Sequence, residues 1–157
     1  MLPSQQNANA GIHIPPPLLY GGALALGLLL GRGSGAGTGG TRVTRFMGWL
    51  SLGAGVAIGA AAIAALKSAG TNVNPYKSTT ALVTGGVFGA SRNPAYVAAT
   101  SFYLGTALLA RSLPALTLLP IVLALLDRLV VDPEERYLER LFGEEYRAYH
   151  ARVPRWF

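Results

Sequence analysis

Residues 127–156 read DRLVVDPEERYLERLFGEEYRAYHARVPRW, and their reading decides how the rest of the chain is understood. Every acidic residue of the protein lies here, as Asp127, Asp132, Glu134, Glu135, Glu139, Glu144 and Glu145, while residues 1–126 carry none. A chain that withholds its carboxylates for so long and then sets them among arginines separates a lipid-embedded part from a water-facing one. Asp132-Pro133-Glu134-Glu135 spells a helix start, with Asp132 at the N-cap, Pro133 at the first helical position and Glu135 placed to reach back as in a capping box. Beyond it, Tyr137, Leu138, Leu141, Phe142, Tyr146 and Tyr149 recur at helical spacing, which predicts one amphipathic helix over 132–150. Such a helix can lie on a membrane surface or fold as a lid over a pocket at the mouth of a helical bundle. Asp127 and Arg128 end the apolar run before it, where isolated charges are costly unless they satisfy each other or face a wet cavity.

Composition agrees with a membrane setting. The 157 residues are 51% hydrophobic and 13% charged, whereas about a quarter of a soluble domain is charged. The net charge is +6, but the basic residues do not cluster with interleaved aromatics, so the excess reads as membrane topology and no nucleic-acid partner is expected. The absence of cysteine removes disulfides, thiolate nucleophiles and cysteine metal sites together. His13 and His150, the only histidines, are too few and too far apart to suggest zinc, and no metal centre is expected. The predicted fold class is an all-α integral membrane bundle of about four transmembrane helices with a C-terminal amphipathic cytoplasmic helix.

Working backward and forward from the acidic tail gives the spans. Residues 1–16 are a polar, flexible lead with no basic segment ahead of the apolar run, unlike a secretory signal. Transmembrane segments are predicted over 17–31, 46–66, 95–111 and 114–131. Gly27 and Gly31 form a small-residue step, and Gly48, Gly53, Gly55 and Gly59 recur through the second segment, as close helix packing in lipid requires. Between the first two segments, the glycine-rich run Arg32–Gly40 lacks the strand and the Lys-Ser or Lys-Thr of a phosphate loop and reads as a connector. The interruption over 67–94 is too long for a simple turn and too apolar at Ala81-Leu82-Val83-Thr84 for simple disorder, which marks it as functional. It ends with Asn93 positioned to cap the next helix and Pro94 in its first turn. Arg111 to Pro114 is so short that the following segment must turn straight back. Four crossings place both termini with the long loop. That side collects Lys67, Lys77, Arg92, Arg128, Arg136, Arg140, Arg147, Arg152 and Arg155 against Arg32, Arg42, Arg45 and Arg111 opposite, so the loop and tail are expected to be cytoplasmic.

Three short patterns occur in order between and after these spans: Leu82-Val83-Thr84-x-Gly86-x-Phe88; Arg92-Asn93-Pro94-x-Tyr96; and Glu134-Glu135-x-x-Leu138-x-x-x-Phe142-Gly143-Glu144-Glu145-Tyr146-x-x-Tyr149 with Arg152-Val153-Pro154. In that arrangement the chain resembles the isoprenylcysteine carboxyl methyltransferase family and its phospholipid methyltransferase relatives, from about Gly70 to Trp156. The resemblance implies methyl transfer from S-adenosyl-L-methionine, bound between the loop and the tail, onto a lipophilic small-molecule or lipid-modified acceptor that enters from membrane lipid. It implies that the cofactor is held by Thr80, Ala81, Leu82, Val83, Gly86 and Phe88, by Asn93, Pro94, Ala95 and Tyr96, and by Glu134 or Glu135. It also implies an acceptor-binding arginine upstream of that glutamate, for which Arg128 is the nearest match. Asn93, Val87 and Gly89 stand where the family frequently carries histidine, proline and arginine.

The residues support that chemistry independently. Displacement at a sulfonium methyl needs an acceptor held in line at close range, not a protein nucleophile or a metal. Glu134 can neutralise the cofactor's ammonium or sulfonium, and Tyr96 or Tyr137 can offer a ring face to the same cation. Arg92 can pair with the methionine carboxylate and Arg128 can orient an anionic acceptor. The catalytic candidates are therefore Arg128 and Glu134. Two other readings compete: a non-enzymatic four-span membrane protein, disfavoured because the first three spans carry no ionisable group for coupling, and a nicotinamide-dependent sterol-type membrane reductase, whose tail motifs are similar.

Overall fold

The computed structural model describes residues 14–34, 40–72 and 79–156. The lead expected to be flexible, as far as His13, the middle of the glycine-rich connector, and Asn74, Pro75, Lys77 and Ser78 of the long loop lie outside the described residues. Among the described residues there is no strand. The described residues form six α-helices: α1 (Pro16–Ser34), α2 (Arg42–Ser68), α3 (Pro94–Leu109), α4 (Leu113–Leu126), α5 (Asp132–Phe142) and α6 (Glu144–Arg152). A 3-10 turn at Gly86–Gly89 lies in the long loop, and a π-helical turn at Asp127–Val131 joins α4 to α5.

Among the described residues, two helices are long and apolar enough to cross a membrane: α2, of 27 residues, and the continuous helix Leu113–Phe142, of 30 residues. Their apolar side chains stay outward, with Phe46, Trp49, Leu50 and Val56 of α2 all exposed, the reverse of a helix from a soluble core. α1, of 19 residues, and α3, of 16 residues, run alongside them. α2 packs along α3, and α1 packs along α4, with α3 also touching both α1 and α4.

Local chemistry sets the helix ends. The Thr41 hydroxyl accepts from the Thr44 N–H at 3.1 Å to start α2. Ser112 caps α4 by accepting from Ala115 N–H at 3.3 Å, and it donates across to the Gly27 carbonyl at 2.8 Å. Arg111, at φ 54°, makes the reversal between α3 and α4. Asn93 makes no side-chain cap at the start of α3; its amide donates instead to the Arg155 carbonyl at 3.2 Å.

Small residues bring the helices together, as their spacing predicts. A Cβ on Gly27 would collide with the backbone of Ala115, and one on Gly31 would lie 2.7 Å from Ser112 Oγ. The glycine step thus packs α1 onto α4 within one chain. At the α2–α3 contact, a Cβ on Gly105 would lie 2.8 Å from the Gly48 carbonyl and 2.9 Å from the Leu52 nitrogen. Gly53, by contrast, meets nothing within 4 Å and faces outward. Gly105→Val is therefore expected to lower stability by about 1–3 kcal/mol through overpacking. Gly53→Ala should be neutral or gain up to about 1 kcal/mol from helix propensity. Thermal unfolding in detergent checks both, and equal shifts for the two variants would contradict the packing described.

The acidic segment departs from expectation twice. Asp132 is not an N-cap: its backbone is helical at φ −60°, ψ −44°, and its N–H donates to the Asp127 carbonyl across the wide turn. Proline at 133 has no N–H to donate and its ring crowds the carbonyl four residues back, so one π-helical turn opens there and the helix continues. Val130 and Val131, both fully buried, anchor that turn in the core. The single helix expected over 132–150 is also divided, because Gly143 adopts φ 54°, ψ −121° between α5 and α6. That break changes the helical phase. Tyr146 and Tyr149 turn inward, while Leu141 is 46% exposed.

Candidate active site

The N-terminal end of α1, the C-terminal end of α2, the N-terminal end of α3 and the start of α5 converge at one end of the bundle around a cavity of about 610 Å³. The long loop and α6 close over it, contributing Ala81, Leu82, Val83 and Phe88 from the loop and Tyr146 and Tyr149 from α6. Residues from both α5 and α6 of the C-terminal segment therefore line the cavity.

The covering segments are tied to each other through the chain's tail. Arg92 N–H donates to the Pro154 carbonyl at 3.0 Å. The Ser91 hydroxyl donates to the Arg155 carbonyl at 3.0 Å, where Asn93 also donates. The Tyr149 hydroxyl donates to the Phe88 carbonyl at 2.7 Å. Burial pushes the Tyr146 phenol up to about 12; the Glu135 carboxylate adds to the rise and the nearby Arg92 guanidinium draws it back. Tyr149 is likewise pushed up to about 12 by burial and by its neighbour Tyr146. Both remain neutral hydroxyls throughout the physiological range.

The two adjacent glutamates, alternatives by sequence, have different surroundings. Glu135 has both oxygens engaged: Arg155 Nη2 lies 2.6 Å from Oε2 and Nε 3.2 Å from Oε1, and Arg92 Nη2 lies 3.3 Å from Oε1. It pins the tail and the loop to α5. Glu134 accepts from the Tyr96 hydroxyl at 2.9 Å and lines the same cavity. Arg92 is the complementary group. Its side chain is 7% exposed, and although Nη2 reaches Glu135, Nε and Nη1 are buried without a hydrogen-bond partner. Buried donors of that kind are costly unless something accepts from them.

Most of the residues singled out by sequence meet here. Ala81, Leu82, Val83, Phe88, Arg92, Asn93, Pro94, Ala95, Tyr96, Glu134 and Glu135 all line the cavity. Three do not. Thr80 holds the two ends of the loop together, its hydroxyl donating to the Gly70 carbonyl at 3.1 Å and its N–H to Thr71 Oγ1 at 3.0 Å. Gly86 is exposed and supplies a φ of 60° at the 3-10 turn, a conformation that costs glycine little. Arg128 is exposed on the π-helical turn and is not part of the lining. Asp127 does not depend on Arg128, since Arg155 Nη1 lies 3.5 Å from its Oδ1. Tyr137 offers no ring to the cavity; its hydroxyl accepts from Thr79 N–H at 3.3 Å.

Other lining residues had not been assigned to the site. Tyr146, Tyr149 and Leu138 belong to the amphipathic stripe, so their inward direction was legible though their role was not. Pro16, Pro17, Tyr20, Leu66 and Ala99 enter because four helix ends meet at one level. Arg155 carries no local sequence signal. Its partners Asp127, Asp132 and Glu135 come to it through the fold.

No curated protein and no solved structure matches the chain. A family profile does match, that of the phospholipid methyltransferases, over residues 43–145. The matched stretch runs from the first turn of α2 through the loop and the long helix into α6, and so contains Arg92, Tyr96, Glu134 and Glu135. A match over that much of the chain, centred on the segments that build the cavity, shows that the protein belongs to the phospholipid methyltransferase family of membrane methyltransferases.

Proposed function

We propose that the protein transfers a methyl group from S-adenosylmethionine to a lipophilic acceptor, within the cavity at the cytoplasmic face of a four-crossing bundle. The observation that carries this reading is the pairing, in one partly apolar cavity, of Arg92's unpartnered buried donors with the Glu134 carboxylate. The donor is a zwitterion with an added sulfonium, so one buried guanidinium and one carboxylate suit its charge pattern. A cavity of about 610 Å³ also falls within the usual range for small-molecule sites.

When bound, S-adenosylmethionine supplies an electrophilic methyl whose displacement needs alignment rather than a protein nucleophile. Arg92 would hold the carboxylate through Nε and Nη1. Glu134, steadied by the Tyr96 hydroxyl, would balance the donor's positive charge. Leu82, Val83, Phe88 and Leu138 exclude water around them and strengthen both interactions. Thr80 and Gly86 contribute by shaping the loop. Arg128, exposed and outside the lining, would act on an acceptor only beyond the cavity.

The acceptor enters from lipid between the cavity ends of α1 and α2, past Pro16, Pro17, Tyr20 and Leu66. An isoprenylcysteine carboxylate or another lipid or small hydrophobic molecule meets that requirement. α1 and α3 complete the crossings begun by α2 and α4, and Lys67, Arg92, Arg136 and Arg147 gather at the cavity end, as a cytoplasmic side demands.

Calorimetry on the detergent-purified protein tests the proposal. Saturable binding of S-adenosylmethionine, undisturbed by NADPH, is expected. Absence of donor binding, or its displacement by NADPH, would overturn the reading. Transfer of labelled methyl to prenylcysteine and phospholipid acceptors offered in parallel then identifies the acceptor.

A further inference from the structure

We propose that Arg155 is a positioning residue that keeps Arg92 available to an anionic ligand group by occupying Glu135. The proposal rests on the preceding assignment of Arg92 as the anchor for the donor's carboxylate, and it concerns a residue beyond the family match, which ends at 145.

Two arginines compete for one buried carboxylate. The Glu135 side chain is 12% exposed and that of Arg92 7%, an arrangement in which a bidentate pair would normally form. It does not form, because Arg155 takes Glu135 through both Nη2 and Nε and leaves Arg92 a single contact of 3.3 Å on an oxygen already shared. Arg155 also reaches Asp132 at 2.9 Å and Asp127 at 3.5 Å. One guanidinium therefore answers three carboxylates, and Arg92 keeps two buried nitrogens without partners. The Glu135 hydrogen bonds in turn hold the Arg155 pKa above its ordinary value, so this competitor stays charged at all relevant pH.

Without Arg155, Glu135 would recover its second oxygen and close on Arg92. That would consume at least one of the two free donors. The backbone of the tail need not move, because Arg155 is held independently by its carbonyl, which accepts from Ser91 and Asn93.

The test compares S-adenosylmethionine with its decarboxylated analogue, which lacks the group that Arg92 would hold. Calorimetry would be run on the full-length parent, Arg155→Gln, Arg155→Lys and the double variant Glu135→Gln/Arg155→Gln, with thermal unfolding measured beside it. In the parent, the carboxylate should confer at least about tenfold tighter binding, the worth of one charge-assisted hydrogen bond. Arg155→Gln should lower that ratio by about tenfold, the worth of one such bond, while leaving affinity for the analogue within about threefold of the parent. The double variant should restore the ratio, since glutamine does not compete for Arg92 as a carboxylate does, and Arg155→Lys should restore it in part.

An unchanged ratio in Arg155→Gln would overturn the proposal. So would equal loss of both ligands, or a double variant no better than the single one, because these mark Arg155 as a mere fastening of the tail. If Arg155→Gln does not fold, the Arg155→Lys ratio decides: a value equal to that of the parent counts against the proposal and an intermediate value for it. A parent that binds neither ligand defeats the donor assignment itself, a result distinguishable from all of these.

Discussion

Arg92→Ala is expected to weaken S-adenosylmethionine binding by roughly 100-fold, and Glu134→Gln by roughly tenfold, read as calorimetric Kd values on the purified protein. The larger figure follows from two charge-assisted hydrogen bonds, which together are worth about 3 kcal/mol or more, and every 1.4 kcal/mol is about tenfold. Arg92 would supply both from a buried position where water competes poorly. Glu134→Gln removes charge while keeping the shape and an oxygen for the Tyr96 hydroxyl, so the smaller loss isolates the electrostatic part. Glu134→Gln is expected to fold as the parent does, because glutamine still offers an oxygen to the neutral Tyr96 hydroxyl. A Kd for Arg92→Ala within about threefold of the parent would remove Arg92 from the donor site, whatever happened to activity.

The second large effect concerns stability and separates the neighbouring glutamates. Glu135→Ala is expected to destabilise the fold by about 3–5 kcal/mol, the usual cost of breaking a buried ion pair from one side. Arg92 would be left as an uncompensated charge, and Arg155 would lose its shortest ion pair, at 2.6 Å. For a chain of this length the loss corresponds to roughly a 10 °C fall in melting temperature. The tail should loosen with it, since Glu135 joins α5 to both the loop, at Arg92, and the tail, at Arg155. Glu134→Ala carries no such penalty and should stay within about 1 kcal/mol, removing one hydrogen bond from Tyr96. Thermal unfolding in detergent separates the pair, and similar melting temperatures for both alanine variants would refute the division between a pinning and a ligand-facing glutamate.

The glutamates also show where one-dimensional reading reaches its limit. Residues 134 and 135 are the same amino acid in adjacent positions, and both fit the family pattern. Successive helical residues point about 100° apart, so although both border the cavity, one of them alone is claimed by the tail. Which is which depends on the phase of α5. That phase is shifted by the π-helical turn at Asp127–Val131, a response to Pro133 and to the packing of Val130 and Val131 that no local rule predicts. The capping box expected at Asp132 failed for the same reason. Its carboxylate goes to Arg155 and its backbone remains inside a helix.

Composition and periodicity by themselves determined the helical class and the long apolar segments and offered Gly27 and Gly31 as a close-packing step, while the family resemblance named the segments that would meet at the site. Each depends on residues near one another in sequence or on properties summed over a run, such as the charge-free stretch of α2. Only the tertiary structure decided that Arg128 and Tyr137 stay out of the cavity, that Thr80 and Gly86 shape the loop, and that Arg155 sits among Asp127, Asp132 and Glu135. Those outcomes depend on which side chains compete for one carboxylate or one turn of space. Such competition is settled by distances across the fold, and sequence spacing carries no measure of them.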